Sequence, residues 1–149
     1  MRAELLGRLG ASLAGAWTGL MIGVGAVAAP LLFALLPRPE AGLVATRLFS
    51  LDATIGLAIG AVLMLIGLQL GSDRAALGRG SRFSVELGLA LAALFCIVAG
   101  HYALLPMIED AHAGRGSLSF GALHAIASAF FVAKVSIVTL LAWRLSAPR

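Results

Sequence analysis

The chain has 149 residues, of which 60% are hydrophobic and 12% are charged. A soluble domain carries about 25% charged residues, so this composition excludes a soluble fold and indicates an integral membrane protein. The net charge is +4, but the arginines lie scattered at the ends of apolar segments and form no basic run with interleaved aromatic residues, which argues against nucleic acid as a partner.

The first predicted element is a transmembrane helix over approximately residues 9–36. This stretch contains no ionisable residue, and at 1.5 Å per residue it exceeds the hydrocarbon core of a bilayer, about 30 Å thick. Gly15, Gly19 and Gly23 recur at every fourth position, as in a glycine zipper, and form what we call the glycine face. We expect another helix to pack closely on this face.

Three prolines shape the exit from the first span. Pro30 lies inside the apolar run and predicts a kink or a loosened turn, because proline lacks an N–H and crowds the preceding turn. Pro37 and Pro39 predict the end of the helix and a short loop over residues 37–42. A second span is then expected over approximately residues 48–70.

One face of the second span combines an acid with small residues. Asp52, Gly56 and Gly60 follow one another at helical spacing, which places them on a single face. Since sequential helices joined by a short loop are usually neighbours, we expect this face to pack against the glycine face of the first helix. The alternative is that a second copy of the chain fills the glycine face, in which case the protein is a dimer built on it.

The third and fourth spans follow two polar loops. The third is expected over approximately residues 85–105, with Glu86 in its first turn and Pro106 at its end, and the fourth over approximately residues 120–143. The prediction is therefore an all-α membrane protein in which residues 1–149 form one domain, a four-transmembrane-helix bundle embedded in the lipid bilayer.

The orientation follows from the distribution of arginines. Seven lie on the side that carries both termini and three on the opposite side (2 + 3 + 2 against 2 + 1). The first group is Arg2, Arg8, Arg74, Arg79, Arg82, Arg144 and Arg149, and the second is Arg38, Arg47 and Arg115. By the positive-inside rule this predicts a multi-pass protein of a bacterial-type inner membrane with both termini in the cytoplasm.

Short motifs along the chain resemble a known family. They are Ala29-Pro30-Leu31-Leu32-Phe33, Leu36-Pro37, Ala41-Gly42, Arg47-Leu48-Phe49, Leu105-Pro106-Met107, Phe120-Gly121-Ala122-Leu123-His124, Ser128 and Trp143-Arg144. Together they resemble the four-span membrane proteins of the domain-of-unknown-function 4149 family, also called transmembrane-protein-205-like. The resemblance covers nearly the whole chain and implies the four-span fold, but no biochemical activity.

Ionisable residues inside the predicted spans are the candidates for function, because each costs at least about 2.5–3.5 kcal/mol near the centre of a membrane helix. They are Asp52, Glu86, His101, His124 and Lys134. Asp52, His101 and His124 are expected within about two helical turns of the outer surface, at similar depth. With Ser128, one turn beyond His124, they predict a polar pocket that opens to the outer side.

Two readings of this pocket follow from its residue types. Two imidazoles and a carboxylate match the ligands of an open zinc or copper site, and a haem between His101 and His124 is a further option, although neighbouring helices about 8–10 Å apart leave little room for it. Alternatively, each histidine bonds a neighbour near the membrane surface, and Asp52 pairs with Arg47 or caps its helix.

Lys134 lies near the middle of the fourth span and needs an internal partner. Its side chain is directed towards the outer side, and Trp143 at the inner end of the span is about nine residues away. Glu86 is the expected partner because it is the nearest acid in depth, with Asp52 as the competitor. Such a pair acts either in an ion or proton relay or in fixing the register of the helices.

No motif of a known enzyme class occurs: there is no GxSxG, GxxxxGKS, CxxC or HExxH. An enzyme is therefore not indicated, and no cofactor is expected by default. The first hypothesis is a permeation, accessory or assembly role in the membrane, with a homo-oligomer or another membrane protein as partner. The second is a metal- or haem-binding redox protein that uses His101 and His124.

Overall fold

The computed structural model describes residues 2–147, which form four long helices and no strand. The helices are Arg2–Leu35, Arg38–Ala76, Val85–His112 and Phe120–Ser146, and each is long and apolar enough to cross a membrane. The predicted all-α four-helix membrane fold is confirmed.

The four helices pack in a ring. The first contacts the second, the second contacts the third, the third contacts the fourth, and the fourth closes the ring against the first. The second and fourth helices therefore face each other across the diagonal. The core inside the ring is apolar and includes Trp17, Met21, Leu63 and Leu141, each fully or almost fully buried.

The outer surface of the ring is as apolar as its core. Leu65, Phe95 and Val132 are about 60% exposed, and each lies within a predicted span. A soluble protein rarely exposes such a large apolar surface, whereas lipid chains cover it without an energetic penalty. The apolar outer surface therefore agrees with embedding in a bilayer.

The first and second helices meet at a sharp break rather than at a loop. Leu36 is extended (φ −116°, ψ 154°), Pro37 precedes the second helix, and Pro39 lies in its first turn. Proline is well suited to a first turn, where its missing N–H would be unpaired in any case. The loop expected over residues 37–42 is therefore wrong, because most of it is helical, and the second helix has 39 residues.

Two helices contain a π-helical segment shortly before a proline. Gly23–Ala28 precedes Pro30 and Val98–Ala103 precedes Pro106. The loosened turn expected near Pro30 is thus present. The expected end of the third helix at Pro106 is wrong: the helix continues to His112, because a wider turn before the proline accommodates its ring and its missing N–H.

Candidate functional site

A buried ion pair crosses the centre of the bundle. Lys134 Nζ lies 2.6 Å from Asp52 Oδ2, and the two side chains are 7% and 1% exposed. Asp52 lies on the second helix and Lys134 on the fourth, so the pair bridges the diagonal of the ring. The ammonium also lies 5.1 Å from the centre of the Phe131 ring, a favourable distance for a cation–π contact.

The expected pairing of Lys134 with Glu86 is wrong. Glu86 accepts hydrogen bonds of 3.2 and 3.3 Å from Arg74 and lies 3.6 Å from Arg144. These arginines belong to the last turns of the second and fourth helices, which end where the third helix begins. The Cα–Cβ bond of Lys134 is tilted towards the start of its own helix, away from that end and towards Asp52.

Two polar side-chain atoms are buried without a hydrogen-bond partner among the described residues, and one of them belongs to this ion pair. They are Asp52 Oδ1 and the indole Nε1 of Trp17. The indole lies against Gly56, one turn beyond Asp52: a Cβ on Gly56 would be 2.7 Å from Trp17 Cζ2. Gly56 is therefore needed so that the indole can enter the core beside the second helix.

His101 lies close enough to feel both charges of the ion pair. The charges of Lys134 and of Asp52 each act on its imidazole, which is half-buried and belongs to the π-helical segment of the third helix. The imidazole packs edge-to-face with Tyr102, with 5.0 Å between the ring centres. We call the group formed by Trp17, Asp52, His101 and Lys134 the polar centre.

The other two residues of the expected pocket lie outside the polar centre. His124 and Ser128 are exposed, and His124 stacks on Phe120 at 5.7 Å between ring centres. In that turn of the fourth helix the buried residue is Leu123, and adjacent residues point about 100° apart around a helix. The structure therefore leaves His124 and Ser128 away from the polar centre and does not assemble the predicted pocket.

The predicted metal site is not assembled either. Across residues 2–147, no group of three or more histidine, cysteine, aspartate or glutamate side chains could hold a metal ion. Asp52 is already bound to Lys134, while His124 stacks on Phe120 at the surface. Neither a metal shared by Asp52, His101 and His124 nor a haem between the two histidines receives support from this geometry.

The glycine face of the first helix does not pack against the second helix. A Cβ added to Gly15, Gly19 or Gly23 would meet no atom within 4 Å, which contradicts the expected packing. The first helix instead buries another stripe, which includes Ala14, Trp17 and Met21. The large Trp17 side chain, rather than small residues, fills the space above Gly56.

The glycines of the second helix do pack as tightly as expected, but against other partners. A Cβ on Gly60 would lie 2.6 Å from Leu94 Cδ2, and one on Gly67 would lie 2.9 Å from the backbone nitrogen of Leu87. A Cβ on Gly71 would lie closer still to the backbone carbonyl of Arg82. These glycines therefore allow the second helix to approach the third closely, a pairing that the sequence analysis did not predict.

The roles of Trp17, Arg74 and Arg144 were missed by the sequence analysis. Trp17 could have been noticed because it lies inside an apolar span, whereas tryptophan in membrane proteins is enriched near the interfaces. Nothing in the sequence around Arg74 and Arg144 indicates a role beyond their position at helix ends. Their pairing with Glu86 depends on how the ends of three helices meet in the folded bundle.

Comparison with curated proteins and with solved structures found no match. A family model described as a domain of unknown function, DUF4149, matches residues 12–117. The matched region includes Trp17, Asp52, Glu86 and His101 and ends before the fourth helix, which carries Lys134. Because the match covers more than half of the sequence, the chain belongs to the DUF4149 family.

Proposed function

We propose that the protein has a permeation role in the membrane, in which the polar centre passes protons through the helix bundle. The observation that carries this proposal is the buried Asp52–Lys134 pair, with one oxygen of the carboxylate bound to the ammonium and the other free to accept a proton or a hydrogen bond. Ionisable groups inside a bilayer are energetically costly, and proteins retain them mostly on ion or proton pathways.

The composition of the polar centre supports proton transfer over a purely structural pair. A pair that only fixed the register of two helices needs no further titratable side chain beside it, whereas the charges of Lys134 and Asp52 also act on His101. Histidine is in general the side chain whose charge changes closest to neutral pH, which suits it to proton transfer. Asp52 and His101 would therefore exchange the proton, and Lys134 would hold the carboxylate in place.

A flux assay on reconstituted protein tests this proposal. Liposomes containing the protein and an internal pH-sensitive dye are given a potassium diffusion potential, and we expect a faster change of internal pH than in empty liposomes. Asp52→Asn should reduce the flux to the level of empty liposomes. The matched control is Asp110→Asn, because Asp110 forms an exposed pair with Arg115 and should not affect flux. Equal flux from the wild type and Asp52→Asn would overturn the proposal.

We also propose that the protein resides in a bacterial-type inner membrane with both termini in the cytoplasm. The support is the excess of arginines on the side of the termini, seven against three. In this orientation the cluster of Arg74, Glu86 and Arg144 lies near the cytoplasmic surface. The polar centre lies deeper in the bilayer: about ten residues, or 15 Å of helix, separate Lys134 from Arg144.

An assembly role is a second candidate, supported by the exposure of the glycine face. Gly15 and Gly19 are exposed and Gly23 is half-buried, so a second copy or another membrane protein can approach the backbone closely there. Gly19→Ile would block such a contact. If this face joins two copies, the variant should shift the purified protein from dimer to monomer in detergent, and an unchanged oligomeric state would exclude this arrangement.

A further inference from the structure

We propose that a single buried water molecule joins the indole N–H of Trp17 to Oδ1 of Asp52 and is a constituent of the polar centre. The two atoms are complementary, since one is a donor and the other an acceptor. Both are buried, with Trp17 0% and Asp52 2% exposed, and neither has a partner among residues 2–147. A buried polar group without any partner is energetically costly, so a donor and an acceptor about one helical turn apart favour a ligand that satisfies both.

The hydrogen-bonding capacity around this position matches water. Asp52 Oδ1 can only accept, Trp17 Nε1 can only donate, and the Lys134 ammonium has three N–H groups, of which the described contacts use one, on Asp52 Oδ2. A ligand here must donate to the carboxylate and accept from the indole and the ammonium. Water has two donors and two acceptors, and buried waters typically make about three such bonds.

The packing of Trp17 on Gly56 brings the indole against the residue that lies one helical turn beyond Asp52. Side chains four residues apart on a helix are about 5–6 Å apart at their Cβ positions. Two consecutive hydrogen bonds through one water molecule span about the same distance. A lipid acyl chain at this position would offer neither the hydrogen-bond donor nor the acceptors.

The water gives Trp17 a positioning role at the proposed proton site. It would fix the free oxygen of Asp52 and add one transferable proton next to it. This role rests on the proposed function, but the presence of the water does not. If the liposomes show no proton flux, Trp17 loses this role but the water is not excluded. If the spectra show no bound water, the water is excluded, and the proposed proton pathway then consists of Asp52 and His101 alone.

The first experiment examines the indole without disturbing the site. The sequence has two tryptophans, and Trp143 is 72% exposed at the end of the fourth helix. In a Trp143→Phe variant, ultraviolet resonance Raman spectra report on Trp17 alone. We expect the spectrum of a hydrogen-bonded indole N–H. A free N–H would overturn the proposal.

The second experiment distinguishes water from a direct bond between the indole and the carboxylate. Infrared spectra are recorded in ordinary water and in water labelled with oxygen-18, and we expect an O–H stretching band that shifts with the label. Trp17→Phe should abolish this band, and Trp143→Phe should leave it unchanged. A bonded indole without any label-sensitive band would mean a direct contact and would also overturn the proposal.

Discussion

Lys134 Nζ lies 2.6 Å from Asp52 Oδ2, although the two residues are 82 positions apart in the chain. The contact links the two helices that are opposite each other in the ring. Removing one charge would therefore leave the other at the centre of the bundle without an ionic partner among the described residues.

Asp52→Asn should destabilise the protein by about 3–5 kcal/mol, the usual effect of leaving one buried charge without its partner. The double variant Asp52→Leu with Lys134→Met should recover most of this loss, since apolar side chains of similar volume often replace a buried pair without loss of stability. The measurement is unfolding in mixed detergent micelles. Equal losses in the single and double variants would show that the pair is not electrostatically coupled.

Glu86→Gln should have a smaller effect than Asp52→Asn, on the order of 1 kcal/mol. Both arginine partners of Glu86 are about 40% exposed, at 39% and 41%, so solvent and salt screen this cluster more than the central pair. Unfolding curves at low and high salt check the prediction. High salt should reduce the loss of unfolding free energy caused by Glu86→Gln and leave the loss caused by Asp52→Asn nearly unchanged. A salt effect on Asp52→Asn alone would contradict the conclusion that the Glu86 cluster is the more screened of the two.

Gly67→Ala should destabilise the bundle by about 1–3 kcal/mol, because the new methyl group would press on the backbone of the third helix and force the two helices apart. The matched control is Gly88→Ala on the third helix, where a Cβ would meet nothing within 4 Å. That change should be neutral or stabilise the protein by up to about 1 kcal/mol, since alanine favours a helix over glycine. Thermal unfolding of the two variants in detergent should rank them in this order.

Single cysteines in the two long loops should label from opposite sides of the membrane. The background variant is Cys96→Ser, which removes the native thiol, and the probes are Ser81→Cys and Ser117→Cys, both at exposed positions. A membrane-impermeant maleimide added to intact cells should label Ser117→Cys, and it should label Ser81→Cys only after permeabilisation. Labelling with the opposite preference would invert the proposed orientation.

The helices could be predicted from the sequence because long runs without charged residues are rare outside membranes. That Lys134 needs an internal partner could also be predicted, because a charge inside the bilayer is energetically costly. The identity of the partner could not be predicted from depth along the chain alone. Depth favoured Glu86, but Glu86 meets Arg74 where the helix ends converge. The direction of the Lys134 side chain proved the better guide.

The packed face of the first helix could not be predicted from composition. In a soluble protein the polar residues mark the outer face of a helix, but here lipid and core are both apolar, and only shape distinguishes them. The glycine spacing drew attention to Gly15, Gly19 and Gly23, whereas the face that is buried carries Trp17. The fit of one large side chain above Gly56 is a property of two helices together and leaves no pattern in either one.

The π-helical segment Gly23–Ala28 also sets the rotation of the whole N-terminal part of the first helix. A π turn contains about one residue more than an α turn, and one residue corresponds to a rotation of about 100°. Deleting one residue from this segment would restore a regular α-helix but turn everything before it by that angle relative to the part after Ala29. Trp17 would then leave the core and point at lipid. The extra residue of the π turn therefore determines that the Trp17 side chain faces the second helix.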